Sequence, residues 1–196
     1  FFMQSPSFLD YQRTLKQTQG QSNAQTLFGI HPIPTDNQIR ALLDATDPVQ
    51  VRPMFSYLFS GLNQAGVIDT YRSVQQTLLI ALDGIEYFSS PAIHCPHCST
   101  RTQANGHVTY FHTALTPVLV KPGMERVIPL APEFVRPQEG AAKQDCELNA
   151  AKRWLAACGS DYRALGVTLL GEALYAHEPF CQAVLDQAMN FILVCK

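Results

Sequence analysis

The chain has 196 residues, 46% of them hydrophobic and 15% charged, and 14 Lys and Arg against 16 Asp and Glu give a net charge of −2. That length holds one or two domains with a real core, and no apolar run nears the roughly 18 residues of a membrane span. The charge balance lacks the basic excess common in nucleic-acid binders. FFMQSPSF has neither the basic start nor the sustained apolar stretch of a signal peptide, so a cytoplasmic location without a membrane partner is expected. The six cysteines are scattered apart from Cys95 and Cys98, a pattern of buried free thiols rather than of a disulfide framework. A first residue other than Met, and an end inside the apolar FILVCK, suggest a piece of a longer protein.

The first predicted elements are helical. In IPTDNQIRALLD, Thr35 and Gln38 have capping-box spacing, and Ile39, Leu42 and Leu43 form an apolar stripe. In DPVQVRPMFSYLFSGL, Asp47 and Pro48 read as N-cap and first helical position, with Val51, Phe55, Leu58, Phe59 and Leu62 on one face. Pro53 falls within the first turn. Two helices joined by a short turn fit a helix-turn-helix laid against DNA, or a hairpin burying its apolar face, and pattern alone favours the hairpin. The composition shifts near residue 72. The expected organisation is therefore a helical N-terminal region over 1–72, a DNA-binding candidate, followed by a different unit over 73–196.

That second unit begins with strands. Thr77–Phe88 and Val108–Lys121 each read as one long strand, and Pro-Gly centres the KPGM turn that follows. Arg126–Val135 is a third, with Pro129 and Pro132 marking an edge or bulges. A helix over Lys143–Cys158 is expected to stop at Gly159, with Cys146, Ala150, Ala151, Trp154 and Leu155 inward. Then come a strand at Val167–Leu170, a helix at Pro179–Ala188 with Phe180, Val184 and Leu185 on one face, and a strand at Phe191–Cys195. Three antiparallel strands leading into helix, strand, helix, strand predict an α/β fold with a mixed sheet, the layout of an RNase H-like core.

Two constellations carry chemistry in that layout. LLIALDGIEYF and GVTLLGE are short apolar runs that end on a glycine and an acid, Asp83 and Glu172. The layout sets their strands side by side, with the two carboxyl groups expected within roughly 8 Å, a span that two metal ions could bridge. Oxygen donors of this kind suit Mg²⁺ or Mn²⁺. The plainer reading of Asp83 is a strand-end residue accepting backbone hydrogen bonds. HCPHC supplies the second constellation, since Cys95, Cys98, His107 and His112 (C-x₂-C-x₈-H-x₄-H) would form a zinc-clamped loop over 94–112. It is shorter than a conventional finger, which has about 12 residues between its pairs, and unpaired surface Cys and His are the alternative. Glu147 sits where it could approach the metals. Glu133, Lys152, Arg153 and His177 read first as solvated or helix-end groups, with Lys152 and Arg153 as phosphate contacts in the sharper version.

The chain resembles bacterial insertion-sequence transposases of the DDE type over nearly all its length. The resemblance rests on FFMQSPSFLDYQR, SNAQTLFGIHPIPTDNQIRALLD and LDGIEYFSSPAIHCPHC, and continues through YFHTALTPVLV, VIPLAPEFV, KQDCELNAAKRWL and LLGEALYAHEPFC. It implies an RNase H-like core that cuts DNA at transposon ends and joins the freed ends to a target, with DNA and a second copy of the chain as partners. It also implies three acids holding Mg²⁺ or Mn²⁺. Asp83 matches the first and Glu172 the position of the second, while the third, a Glu, is expected beyond Lys196. The family usually shows Asp-Asp where this chain has Glu172-Ala173, and the longer side chain moves the carboxylate outward. The 196 residues alone are therefore expected not to cleave DNA, and a non-catalytic DNA-binding or regulatory remnant is the alternative. An aspartate-nucleophile phosphatase would need a second Asp where Ile85 stands.

Overall fold

The computed structural model describes residues 7–21, 23–26, 29, 31–136 and 144–195. It divides into two compact units, Phe1–Gln50 and Val51–Lys196. In the first, helix α1 (Phe8–Gln17) is capped by Ser7, whose hydroxyl accepts from the Asp10 amide at 3.1 Å. A single turn, α2 (Asn23–Thr26), precedes α3 (Asp36–Asp44). The capping box is present: the Gln38 amide donates to the Thr35 hydroxyl at 3.2 Å, and the Thr35 amide donates to the Gln38 side chain at 2.8 Å. Such a pair of bonds satisfies two donors that every helix start otherwise leaves open. The Arg40 guanidinium lies 5.1 Å from the Phe8 ring centre, and Gln12 donates to the Pro34 carbonyl, so α1 and α3 are tied together. Leu42 and Leu43 of the expected apolar stripe are exposed.

The second unit opens with α4 (Arg52–Gln64), entered through a 3-10 turn at Pro48–Val51. The Asp47 carboxylate accepts from the Val49 amide, so it caps this turn rather than the α-helix. Phe55, Phe59 and Leu62 pack on the core, with Ile68 and Tyr71 buried behind them, whereas Leu58 is exposed. The two helices expected to form one hairpin or helix-turn-helix thus belong to different units, and the division falls at residue 50 where composition suggested 72.

The strands are β1 (Leu78–Ala81), β2 (Gly84–Ser90), β3 (Ser99–Thr102), β4 (Val108–Leu115), β5 (Val118–Val120), β6 (Ile128–Pro129) and β7 (Glu133–Val135), then β8 (Val167–Gly171) and β9 (Asn190–Leu193). Each of the three long strands expected from sequence is broken in two, at 82–83, 116–117 and 130–132. Pro117 and Pro132 have no N–H to offer a ladder. At the break the chain is held by other bonds: the Thr116 amide and hydroxyl both donate to the Asp83 carbonyl, at 2.8 and 3.1 Å, and the Leu130 amide donates to the Pro117 carbonyl. One half of this ribbon joins a mixed five-stranded sheet in the order β6-β5-β1-β8-β9, with β1, β8 and β9 parallel and β6 at an edge. The other half is a second sheet, β2-β4-β3, with β7 also paired to β4.

Helix α5 (Glu147–Tyr162) connects β7 to β8, and α6 (Glu178–Asp186) connects β8 to β9. Ala150, Ala151, Trp154, Leu155, Cys158 and Tyr162 form the buried stripe of α5, facing Leu78, Ile80, Leu119 and Leu169 in one continuous core. The helix starts and ends about a turn later than the sequence suggested. Cys146 is its exposed N-cap, not an inward residue, and Gly159 lies within it. A Cβ at Gly159 would come within 2.9 Å of the Gln187 side chain, so this glycine serves close approach rather than termination. In α6, Phe180 and Val184 are buried, while Leu185 is half exposed on the far side. All six cysteines are free thiols and only Cys158 is buried. Among the described residues no helix is long and apolar enough to cross a membrane.

Candidate functional site

Asp83 and Glu172 leave the sheet at the same end. β1 and β8 run parallel in the register Leu78↔Val167 to Ala81↔Leu170, and the Leu82 amide extends the ladder by donating to the Leu170 carbonyl at 2.9 Å. Continued two residues past Ala81↔Leu170, the same register would set Asp83 opposite Glu172. Both are exposed, and among the described residues neither carboxylate accepts a hydrogen bond. The backbone carbonyl of Asp83 receives the two Thr116 bonds, and the Glu172 carbonyl accepts from the Tyr175 amide, starting a 3-10 turn over Ala173–Tyr175.

The glycines beside these acids make room for two further groups. A Cβ on Gly84 would collide with the carboxylate of Glu147, which reaches across from the first turn of α5. A Cβ on Gly171 would come within 2.7 Å of the Tyr175 ring. Tyr175 is buried, and its hydroxyl donates to Glu147 Oε1. Its pKa is pushed up, first by burial, then by the Glu147 hydrogen bond and charge, and finally by the charges of Asp83 and Glu172. Three carboxylates thus bear on one phenol. Their oxygens do not all gather within 4.8 Å of one another, a spacing met among the described residues by a different group.

That group is Cys95, Cys98 and His112. The 95–98 segment is a turn in which the Cys98 amide donates to the Cys95 carbonyl and the Cys95 amide donates to Cys98 Sγ. Both sulfurs therefore point to one side, 3.8 Å apart, and each lies 3.3 Å from His112 Nε2. His112 comes from β4, paired with Phe88 just past a register shift in β2, and its ring stacks on Tyr87 at 5.7 Å and 10°. Burial lowers its pKa, with the His97 charge adding to the effect. Burial raises the Tyr87 pKa, and the charges of Cys95 and Cys98 add to that. His107 is outside the cluster: it sits in the turn between β3 and β4, where its amide donates to Asn105 and its carbonyl accepts from Gln103. His94 stacks on Tyr110 instead, at 4.4 Å.

Of the remaining sequence candidates, Glu133 and Arg153 are structural. Arg153 contacts neither solvent alone nor an open groove. It donates to both oxygens of Asp145, at 2.8 and 3.1 Å, to Glu133 at 2.9 Å and to the Phe134 carbonyl, while Arg52 closes on the other Glu133 oxygen at 2.7 Å. Burial would raise the pKa of Asp145, but the Arg153 and Arg136 hydrogen bonds and the Arg153 charge outweigh it and hold the carboxyl below its usual range. His177 is the N-cap residue of α6. Glu147 was visible as a nearby acid, but the partnership of Glu147 with Gly84 and Tyr175 was not. Its signal was the pair of glycines flanking Asp83 and Glu172. No protein-family model matches the chain, and none of the curated proteins matches it.

Proposed function

We propose that the second unit is a DNA strand-cleavage and strand-transfer core of the DDE transposase type, working at transposon ends with divalent metal ions. The observation that supports this reading is the parallel register of β1 and β8, strands whose continuations lead to Asp83 and Glu172 at the same end of the sheet. Ligands of open α/β sheets bind beyond the carboxyl ends of such strands. The strand order supports an RNase H-like core: with the broken ribbon counted as three strands, the sheet runs third, second, first, fourth, fifth. Carboxylate oxygens at an exposed strand end suit Mg²⁺ or Mn²⁺, and Asp83 and Glu172 would hold the ions. When bound, such ions activate water or a 3′-hydroxyl and stabilise the leaving oxygen. Tyr175 holds the Glu147 carboxylate by a hydrogen bond against Gly84, adding negative potential behind the two exposed acids.

The test is Mn²⁺ binding followed by electron paramagnetic resonance, beside nicking of transposon-end DNA by the protein. Asp83→Asn and Glu172→Gln should each weaken Mn²⁺ binding by about 10–100-fold, and Asp83→Asn should abolish nicking. Mn²⁺ affinity unchanged in both variants overturns the proposal. If DNA is then still bound, with salt-dependent affinity, the non-catalytic DNA-binding reading takes its place.

A further inference from the structure

We propose that Cys95, Cys98 and His112 hold a structural zinc ion that clasps the β2–β3 connection to strand β4. A tetrahedral zinc with Zn–S of about 2.3 Å and Zn–N of about 2.05 Å sets its sulfurs about 3.8 Å apart and each about 3.5 Å from the nitrogen. The observed separations are 3.8 Å between sulfurs and 3.3 Å from each sulfur to His112 Nε2. Direct bonding among the three does not account for this arrangement. A disulfide needs its sulfurs about 2.05 Å apart. A thiol–imidazole hydrogen bond engages one sulfur, because the neutral ring nitrogen has one lone pair; here two sulfurs stand equidistant from it. A cation between all three accounts for both distances at once.

The donor set chooses the metal. Two thiolates and an imidazole select zinc over Mg²⁺ or Mn²⁺, which take oxygen ligands. The site is therefore independent of the carboxylates at Asp83 and Glu172, and either can fail without the other. The ligands come from two places: the turn at 95–98, in the connection between β2 and β3, and the middle of β4, which pairs with both of those strands. Stacking on Tyr87 and the 5.6 Å contact with Phe88 fix the His112 ring before any ion arrives. Cys95 is exposed, so the three-residue cluster is open to solvent on that side.

The experiment is metal analysis of the full chain purified with zinc present, together with X-ray absorption at the zinc edge. Wild type should carry about one zinc per chain, with two sulfur neighbours and the rest nitrogen or oxygen. Cys95→Ser with Cys98→Ser should lose it, as should His112→Ala. His107→Ala should keep it, and His112→Cys, which restores a ligand, should keep it too. Because the losing variants could also misfold, Co²⁺ is titrated into the metal-free wild type; a thiolate–cobalt absorption band displaced by zinc is expected. Wild type without zinc and without that band, or zinc retained by the double serine variant, overturns the proposal.

Discussion

At the scale of single residues, the Gly-acid pairs are the informative feature. Asp83-Gly84 and Gly171-Glu172 each combine an exposed carboxylate with a position where a side chain would strike a neighbour. Gly84→Ala should displace Glu147, break the Tyr175 hydrogen bond and cost about 1–3 kcal/mol. In a Glu147→Ala background the same substitution should cost less than about 1 kcal/mol, since the obstructing group is gone. Urea unfolding of the four proteins in a double-mutant cycle measures the difference. Equal costs in both backgrounds would mean that the glycine answers to something other than Glu147. The acids themselves were legible in sequence because an apolar run ending in a carboxylate is a local pattern. The reason for the glycines was not, because it depends on a helix more than sixty positions away for Gly84.

At the scale of elements, α5 is attached to the strands by charge as well as by its apolar stripe. Arg153 on the helix links Asp145, just before it, to Glu133 in β7, and the Asp145 side chain is only 1% exposed. Arg153→Ala would leave that carboxylate buried with backbone partners alone, at a cost of about 3–5 kcal/mol, read as a fall in melting temperature. The pH dependence follows from the lowered Asp145 pKa. A depressed carboxyl contributes stability above its unfolded pKa of about 3.9, and that contribution disappears as the pH falls through the folded value. Thermal melts from pH 6 downwards should therefore show a shallower acid loss in Asp145→Asn than in wild type. The alternation of strands and helices was readable from periodicity in this region. The breaks were not, because a proline inside an apolar run reads equally as an edge or as an interruption. Gly159 misled for a similar reason: glycine both ends helices and lets them pack closely, and only the neighbour, Gln187, decides.

At the scale of the whole molecule, the hydrophobic core belongs to one unit. Every buried apolar residue among those described lies between Ile68 and Met189, and none lies in the helices of the first fifty residues. Residues 51–196 should then fold without residues 1–50, with a melting temperature within a few degrees of the full chain, since a change below about 1 kcal/mol moves a domain of this size by about 2–4 °C. Calorimetry on the truncated chain checks this. A collapse of the transition on truncation would show that the first unit supplies stability that its burial does not suggest. The sequence placed this boundary too late because α4 is helical, like the region before it; what assigns it is the packing of Phe55, Phe59 and Leu62, which composition does not register.

The pair of hydrogen bonds from Thr116 to the Asp83 carbonyl has a consequence for how this residue can evolve. The main chain of Asp83 secures the turn between two sheets, a task any residue at that position could perform. Its side chain takes no part in that task. Main-chain and side-chain roles are thus separable within one residue: a single codon change can remove or restore the carboxylate without disturbing the scaffold. A descendant of this chain that lost the acid would keep its shape, and one substitution would bring the acid back to the same place.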